Sequence, residues 1–190
     1  MPNFLTQPKW SLGKGNPFIR LPAAVITSVQ AQTSAISIRR ASLGDAPGIL
    51  ACLREAFEEF RSRYSPEGFL DTVLTAETLR GRLETMSVFL AVDSGNSVVG
   101  TIACHVLRTA EGHLRGMAVC PSMRGKGIAA QLLSRAEAEL GSRECRRVTL
   151  DTTEPLQRAM RFYEKNGYRR SGKVSDFFGM PLIEYQKFLS

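Results

Sequence analysis

The chain lacks any apolar run near the ~20 residues that a membrane-crossing helix requires. It has no Cys-x-x-Cys pair, only two histidines and no acidic residue before Asp45. Each absence narrows the reading. Without a long apolar run, 190 residues with 43% hydrophobic content predict one soluble globular domain with a full core. The four cysteines, Cys52, Cys104, Cys120 and Cys145, are widely spaced. They predict reduced, mostly buried thiols in a cytoplasmic protein rather than a disulfide framework or a thiolate metal site. His105 and His113 flank Arg108 to Gly112, so a hairpin there would set the two rings across from each other. No third and fourth ligand stand at zinc-like spacing, and no metal is expected.

The missing acids explain most of the formal charge of +7. Lys9, Lys14, Arg20, Arg39 and Arg40 all precede Asp45, and the remaining 20 basic residues face 18 acidic ones. That is a nearly balanced domain with a basic leading segment. No stripe of interleaved aromatics and arginines accompanies it, so nucleic acid is not the expected partner. Residues 1 to 34 carry Pro2, Pro8, Pro17 and Pro22 with no periodic apolar face, and read as a disordered extension. Their lack of acids echoes an organelle transit peptide, against which a simple tail is the more ordinary reading.

From Ile36 the pattern becomes regular. Ile36 to Arg39 alternates as a short strand, and Asp45 with Pro47 opens a helix carrying Ile49, Leu50, Leu53, Phe57 and Phe60 at helical spacing. A looser stretch, Arg61 to Asp71, leads to a helix near Ala76 to Thr85. Strands are predicted at Val88 to Val92, Val98 to Leu107 and His113 to Val119. A helix with Ile128, Leu132, Leu133, Ala136 and Leu140 on one face stops at Gly141. A strand at Arg147 to Asp151, a helix with Pro155 near its first turn and Asn166-Gly167 at its end, and two final strands complete an α/β chain.

The most informative run is Arg124-Gly125-Lys126-Gly127-Ile128-Ala129, between the strand ending at Val119 and the next helix. Gly125 and Gly127 lack Cβ, so backbone amides there can approach an anion closely, and the helix adds its free N–H groups and positive dipole end. Arg124 and Lys126 supply charge beside it. A Walker loop would need Ser or Thr after Lys126, and a dinucleotide fingerprint would need G-x-G-x-x-G. Neither is present.

Arg124-x-x-Gly127-x-Ala129 resembles the R/Q-x-x-G-x-G/A motif of the GCN5-related N-acetyltransferase (GNAT) superfamily, whose amides hold the pyrophosphate of coenzyme A. Ala159-x-x-Phe162-Tyr163-Glu164-Lys165-Asn166-Gly167-Tyr168 resembles that family's second signature, about thirty residues on. The resemblance covers about residues 36 to 189. It implies the acyl-CoA N-acyltransferase fold, a mixed, mostly antiparallel central sheet flanked by helices, in a domain spanning residues 35 to 190. The predicted order β-α-α-β-β-β-α-β-α-β-β agrees with it.

The resemblance also implies roles. The co-substrate would be acetyl-CoA and the partner an amine acceptor; no membrane partner is expected, and a homodimer stays open. Backbone groups of Met117, Ala118 and Val119 would hold the pantetheine arm and polarise the acetyl carbonyl. The pyrophosphate would rest on Arg124, Gly125, Lys126, Gly127, Ile128 and Ala129. Tyr163, neutral at pH 7, would bind near the sulfur and protonate the departing thiolate. His113, then Glu111, are the candidate bases for the amine, with ordered water as the alternative. The chain departs from the family at Leu156, where similar proteins often place an Asn on the pantetheine; Thr152 or Thr153 are the available substitutes. The acceptor side maps to about Phe57 to Arg80, where Phe57, Phe60, Tyr64 and Phe69 stand among Glu58, Glu59, Glu67 and Asp71, a set that suits a cationic amine. A non-catalytic acyl-CoA-binding module is the competing reading.

Overall fold

In the computed structural model, residues 35–189 are described; the extension expected at residues 1 to 34 lies outside them. Twelve main elements follow in order: β1 (Ser37–Arg40), α1 (Ala46–Phe57), α2 (Pro66–Val73), α3 (Ala76–Thr85), β2 (Ser87–Val92), β3 (Val98–Arg108), β4 (Glu111–Val119), α4 (Ile128–Gly141), β5 (Arg147–Thr153), α5 (Gln157–Lys165), β6 (Arg169–Phe177) and β7 (Met180–Phe188). The seven strands form one sheet ordered β1-β2-β3-β4-β5-β7-β6. Every pairing is antiparallel except β4 with β5. The predicted fold class is the observed one. That single parallel contact requires a crossover, and α4 supplies it.

The sheet is covered on both faces, and β2 shows this in its sequence. All six of its residues are buried. Phe89 and Ala91 pack with Ile128, Leu132 and Leu140 of α4, whereas Val88, Leu90 and Val92 pack with Ile49 and Leu53 of α1 and Leu79 of α3. A strand apolar on both sides is what two covered faces demand. The five α4 positions expected to share a face are all buried.

One expectation needs correction. Arg61 to Asp71 is not merely loose: a 3-10 segment spans Glu58–Arg63, and α2 follows it. Ser65 is the N-cap, its hydroxyl accepting from the Gly68 N–H at 3.2 Å, and Pro66 occupies the first turn. Ser-Pro-Glu-Gly thus starts a helix, since proline's missing N–H costs nothing there. α2 buries Phe69 and Val73 against Tyr64 and so carries the wall of the site described next.

Candidate active site

β4 and β5 pair only from Glu111 opposite Arg147 to Leu114 opposite Leu150. Beyond Leu114 they part, which leaves the β5-facing backbone groups of residues 115–119 without a strand partner. Two features drive the separation. Thr153, Thr152 and Asp151 stay paired with Leu182, Ile183 and Glu184 of β7. On the other side β4 bulges: Ala118 opposes Thr101 and Arg115 opposes Ala103, so Gly116 and Met117 together face Ile102. Gly116 has φ +60°, the left-handed conformation that a glycine bulge uses.

The gap opens into a cleft of about 600 Å³ that runs from the start of α4 to the aromatic side chains below α1 and α2. At one end the chain turns through Gly125 (φ +80°) and Gly127 (φ +76°), and Gly127 is the N-cap of α4. No side chain caps this helix, and a Cβ on either glycine would meet nothing within 4 Å. Gly127, Ile128, Ala129 and Ala130 all line the cleft, so the unpaired first amides of α4 face open space. An anion such as a pyrophosphate fits there.

The two flanking cations behave differently from expectation. Arg124 is turned back onto the scaffold: its guanidinium donates to the Ala56 carbonyl at 2.9 Å and the Val119 carbonyl at 3.3 Å, and pairs with Glu59. It ties the ends of α1 and β4 to the cradle. Lys126 is exposed, lies outside the cleft wall, and reaches the Met123 sulfur at 3.3 Å. The backbone amides, more than these side chains, are what this end of the cleft offers an anion.

Tyr163 comes from α5 on the α4 face of the sheet. It is 8% exposed, and its hydroxyl donates to the Met117 sulfur at 3.4 Å across the gap. Burial pushes the phenol well above its ordinary value, so it holds its proton at neutral pH. The neighbouring hydroxyls divide cleanly. Thr153 bonds Tyr64 at 2.5 Å, whereas the buried Thr152 hydroxyl has no partner although Thr152 lines the cleft. An orphaned hydroxyl in the gap suits a polar ligand arm that Leu156, also in the wall, cannot bond.

His113 lies on the opposite wall, with its side chain 12% exposed. Its Nδ1 is 2.8 Å from the Thr149 hydroxyl, and its Nε2 is 3.6 Å from the Asp151 carboxylate. With the Thr149 proton on the Gly112 carbonyl (3.3 Å), the hydroxyl oxygen accepts from Nδ1–H and Nε2 keeps its lone pair. Burial, then the adjacent His105 and Arg115 charges, push the imidazole down to about 4. Burial raises the Asp151 carboxyl, and Glu184 adds to the rise. His105 and His113 are cross-strand partners with ring centroids 5.9 Å apart, as the hairpin reading required. Among the described residues no group of three or more His, Cys, Asp or Glu could hold a metal ion.

Glu111 does not join this site. Its carboxylate accepts from Arg108 at 3.0 Å and from Arg147 at 2.7 Å, outside the cleft wall, and these bonds hold it below the usual carboxylate range. Of the acidic residues mapped to the acceptor side, Glu58 pairs with Arg61, while Glu59 and Asp71 line the wall and pair with Arg124 and Arg115. Phe69 is buried beneath Arg61. Sequence reasoning missed Arg82, Arg115 and Asp151. Arg82 had a readable signal, since it follows the fully buried Leu79 by three positions and so faces the sheet.

A mixed sheet that parts behind a glycine bulge, with a glycine-capped helix at the mouth, defines the acyl-CoA N-acyltransferase fold. The sequence profile of the acetyltransferase (GNAT) family matches residues 50–168, and the chain belongs to that family. Its fold is similar to that of a GNAT acetyltransferase from Staphylococcus aureus Mu50, with a TM-score of 0.68 at 21% identity over 82% of this chain and all of that one. PaiA N-acetyltransferase from Thermoplasma acidophilum, solved in complex with coenzyme A, gives 0.68 at 21% identity over 82% of this chain and 99% of its own. A ribosomal-protein-alanine N-acetyltransferase from Brucella melitensis gives 0.64 at 23% over 80% and 99%.

Proposed function

We propose that the protein transfers the acetyl group of acetyl-CoA to a primary amine by direct attack on the thioester. The observation that carries this reading is the parting of β4 from β5, with Tyr163 on one side, His113 on the other and the open amides of α4 at its end. In this reading the pyrophosphate sits on the amides from Gly125 to Ala129, and the pantetheine lies in the gap, bonded by residues 117–119 and the free hydroxyl of Thr152. Unpaired β4 amides aimed at the acetyl oxygen stabilise the charge that develops there; one such donor contributes about 2.7–4 kcal/mol in acyl transfer.

The amine must lose a proton as it attacks. Neutral His113 accepts it at Nε2, directly or through a water chain, beside the Asp151 carboxylate. Tyr163 donates to the departing sulfur. Because burial raises the phenol, the bond to a developing thiolate supplies much of the effect, and full proton transfer completes late. Four unpaired, buried cysteines suit a reducing compartment such as the cytoplasm. The non-catalytic module would leave both walls of the gap without purpose.

The test is isothermal titration with acetyl-CoA, followed by thiol release against a panel of amines, on wild type and Tyr163→Phe. We expect binding by both proteins, amine-dependent release by wild type, and turnover lowered about 100-fold or more in the variant. Full turnover by Tyr163→Phe, with chemistry shown to limit the rate, overturns the acid assignment. Binding with no release from any amine favours the module.

A further inference from the structure

The far end of the cleft holds two arginines, Arg82 and Arg115, near two carboxylates, Asp71 and Asp151. Arg82 on α3 projects toward the sheet, and its guanidinium rests on the β4 bulge: a Cβ built on Gly116 would collide with Arg82 Nη1. The glycine therefore gives the guanidinium its place in the wall. Every Asp and Glu of the chain lies within the described residues, yet none forms a salt bridge with Arg82. Arg115, from the same bulge, reaches Asp71 only at 3.7 Å, with both side chains close to half exposed. Burial and the Arg115 charge, partly offset by Asp71, lower Arg82 to about 10, which still leaves it cationic at neutral pH. A largely buried cation that faces a cavity with no direct ion-pair or hydrogen-bond partner among the described residues, and only Asp71 acting on it at longer range, is costly unless a ligand completes it.

We infer that the amine acceptor carries a carboxylate, held in a fork by the Arg82 guanidinium with Arg115 beside it, so that the substrate class is an amino acid or a similar amino-carboxylate. The inference rests on the transferase reading above and names its acceptor. Position supports it, since Gly116 adjoins Met117, whose sulfur contacts the Tyr163 hydroxyl. Arg82 and His113 line the same cleft, so one small acceptor can present its anion to the first and its amine to the second. Charge supports a carboxylate over a phosphate, because Asp71 and Asp151 also line this end and would repel a dianion. Planar bidentate pairing is what a guanidinium offers and an ammonium does not. The predicted cationic amine is retained, with an anionic end added to it.

The test compares amino acids with their amides as acceptors for wild type, Arg82→Gln and Arg82→Lys, using thiol release. In parallel, N-acetyl amino acids and N-acetyl amino amides are titrated calorimetrically in the presence of free coenzyme A. Acetyl-CoA titration of each variant checks that the fold is retained. We expect wild type to favour the carboxylates, Arg82→Gln to raise their KM and the product Kd about 10- to 100-fold with little change for the amides, and Arg82→Lys to restore part of the loss. Equal use of amides and acids, unaltered in Arg82→Gln, overturns the carboxylate site and leaves the transferase. Preference for phosphate-bearing amines overturns it in favour of another anion. Selective binding of N-acetyl amino acids that is lost in Arg82→Gln, without turnover of any amine, upholds the site and overturns the transferase.

Discussion

His113 shows how one residue's surroundings decide what it can do. Its folded-state pKa of about 4 lies below the ordinary 6.5, so the folded protein prefers the neutral ring. Between these values the unfolded chain binds more protons, and stability falls as pH drops from about 6.5 toward 4, by about 3 kcal/mol for the full shift. His113→Gln should remove that component. Urea unfolding at pH 7 and pH 4.5 should show a smaller loss in the variant than in wild type, with the carboxylate contributions common to both. Activity gives the second reading. A ring already neutral above pH 6 adds no inflection there, so the rise of kcat/KM with pH should report the amine's own ionisation. His113→Gln should lower the profile without moving its midpoint; a midpoint shift would mean that the imidazole itself titrates in the assay range.

At the scale of elements, the strands and helices were legible where local chemistry and burial agree. α3 was read near its observed bounds, where Thr75 and Thr78 cap it reciprocally, and α4 from its buried face with an unbroken helical period. α2 was missed because Ser-Pro-Glu-Gly serves both a turn and a helix start; only packing of Phe69 on Tyr64 decides between them. The cradle could be read from its glycines, whereas the partnership of Arg124 with Ala56 and Glu59 joins positions more than sixty residues apart, and no sequence period reports that. The β4 bulge was legible only through the family resemblance, which implies a bulged strand before the cradle; the residues alone did not mark it, since Gly116 could have been an ordinary strand glycine. Gly116→Ala tests its role. The left-handed φ costs an L-residue about 1–2 kcal/mol, and the new Cβ must also displace Arg82. We expect a lower Tm and, if the acceptor site is as inferred, a raised acceptor KM with acetyl-CoA affinity largely kept. A variant of unchanged stability would show that the bulge is not strained.

At the scale of the whole chain, the part shared with the family lies within residues 35 to 190. The family match begins at residue 50, and the aligned structures cover 80–82% of the chain while being spanned almost completely themselves. Three apolar clusters and the cleft lining described above also fall among these residues. Removing residues 1 to 34 deletes Lys9, Lys14 and Arg20 and takes the formal charge from +7 to +4. Salt dependence then separates two roles for the leading segment. A phosphate-binding arm adds roughly one released counterion per contact, so its loss would weaken nucleic-acid binding and flatten the salt slope. In the proposed reading, acetyl-CoA binds on the α4 amides and needs none of these three cations. We therefore expect the truncated protein to match full-length acetyl-CoA affinity and turnover within about twofold, in calorimetry and thiol release between 50 and 300 mM salt. A truncation that binds acetyl-CoA normally but turns over slowly would instead assign the leading segment to the acceptor side of the cleft.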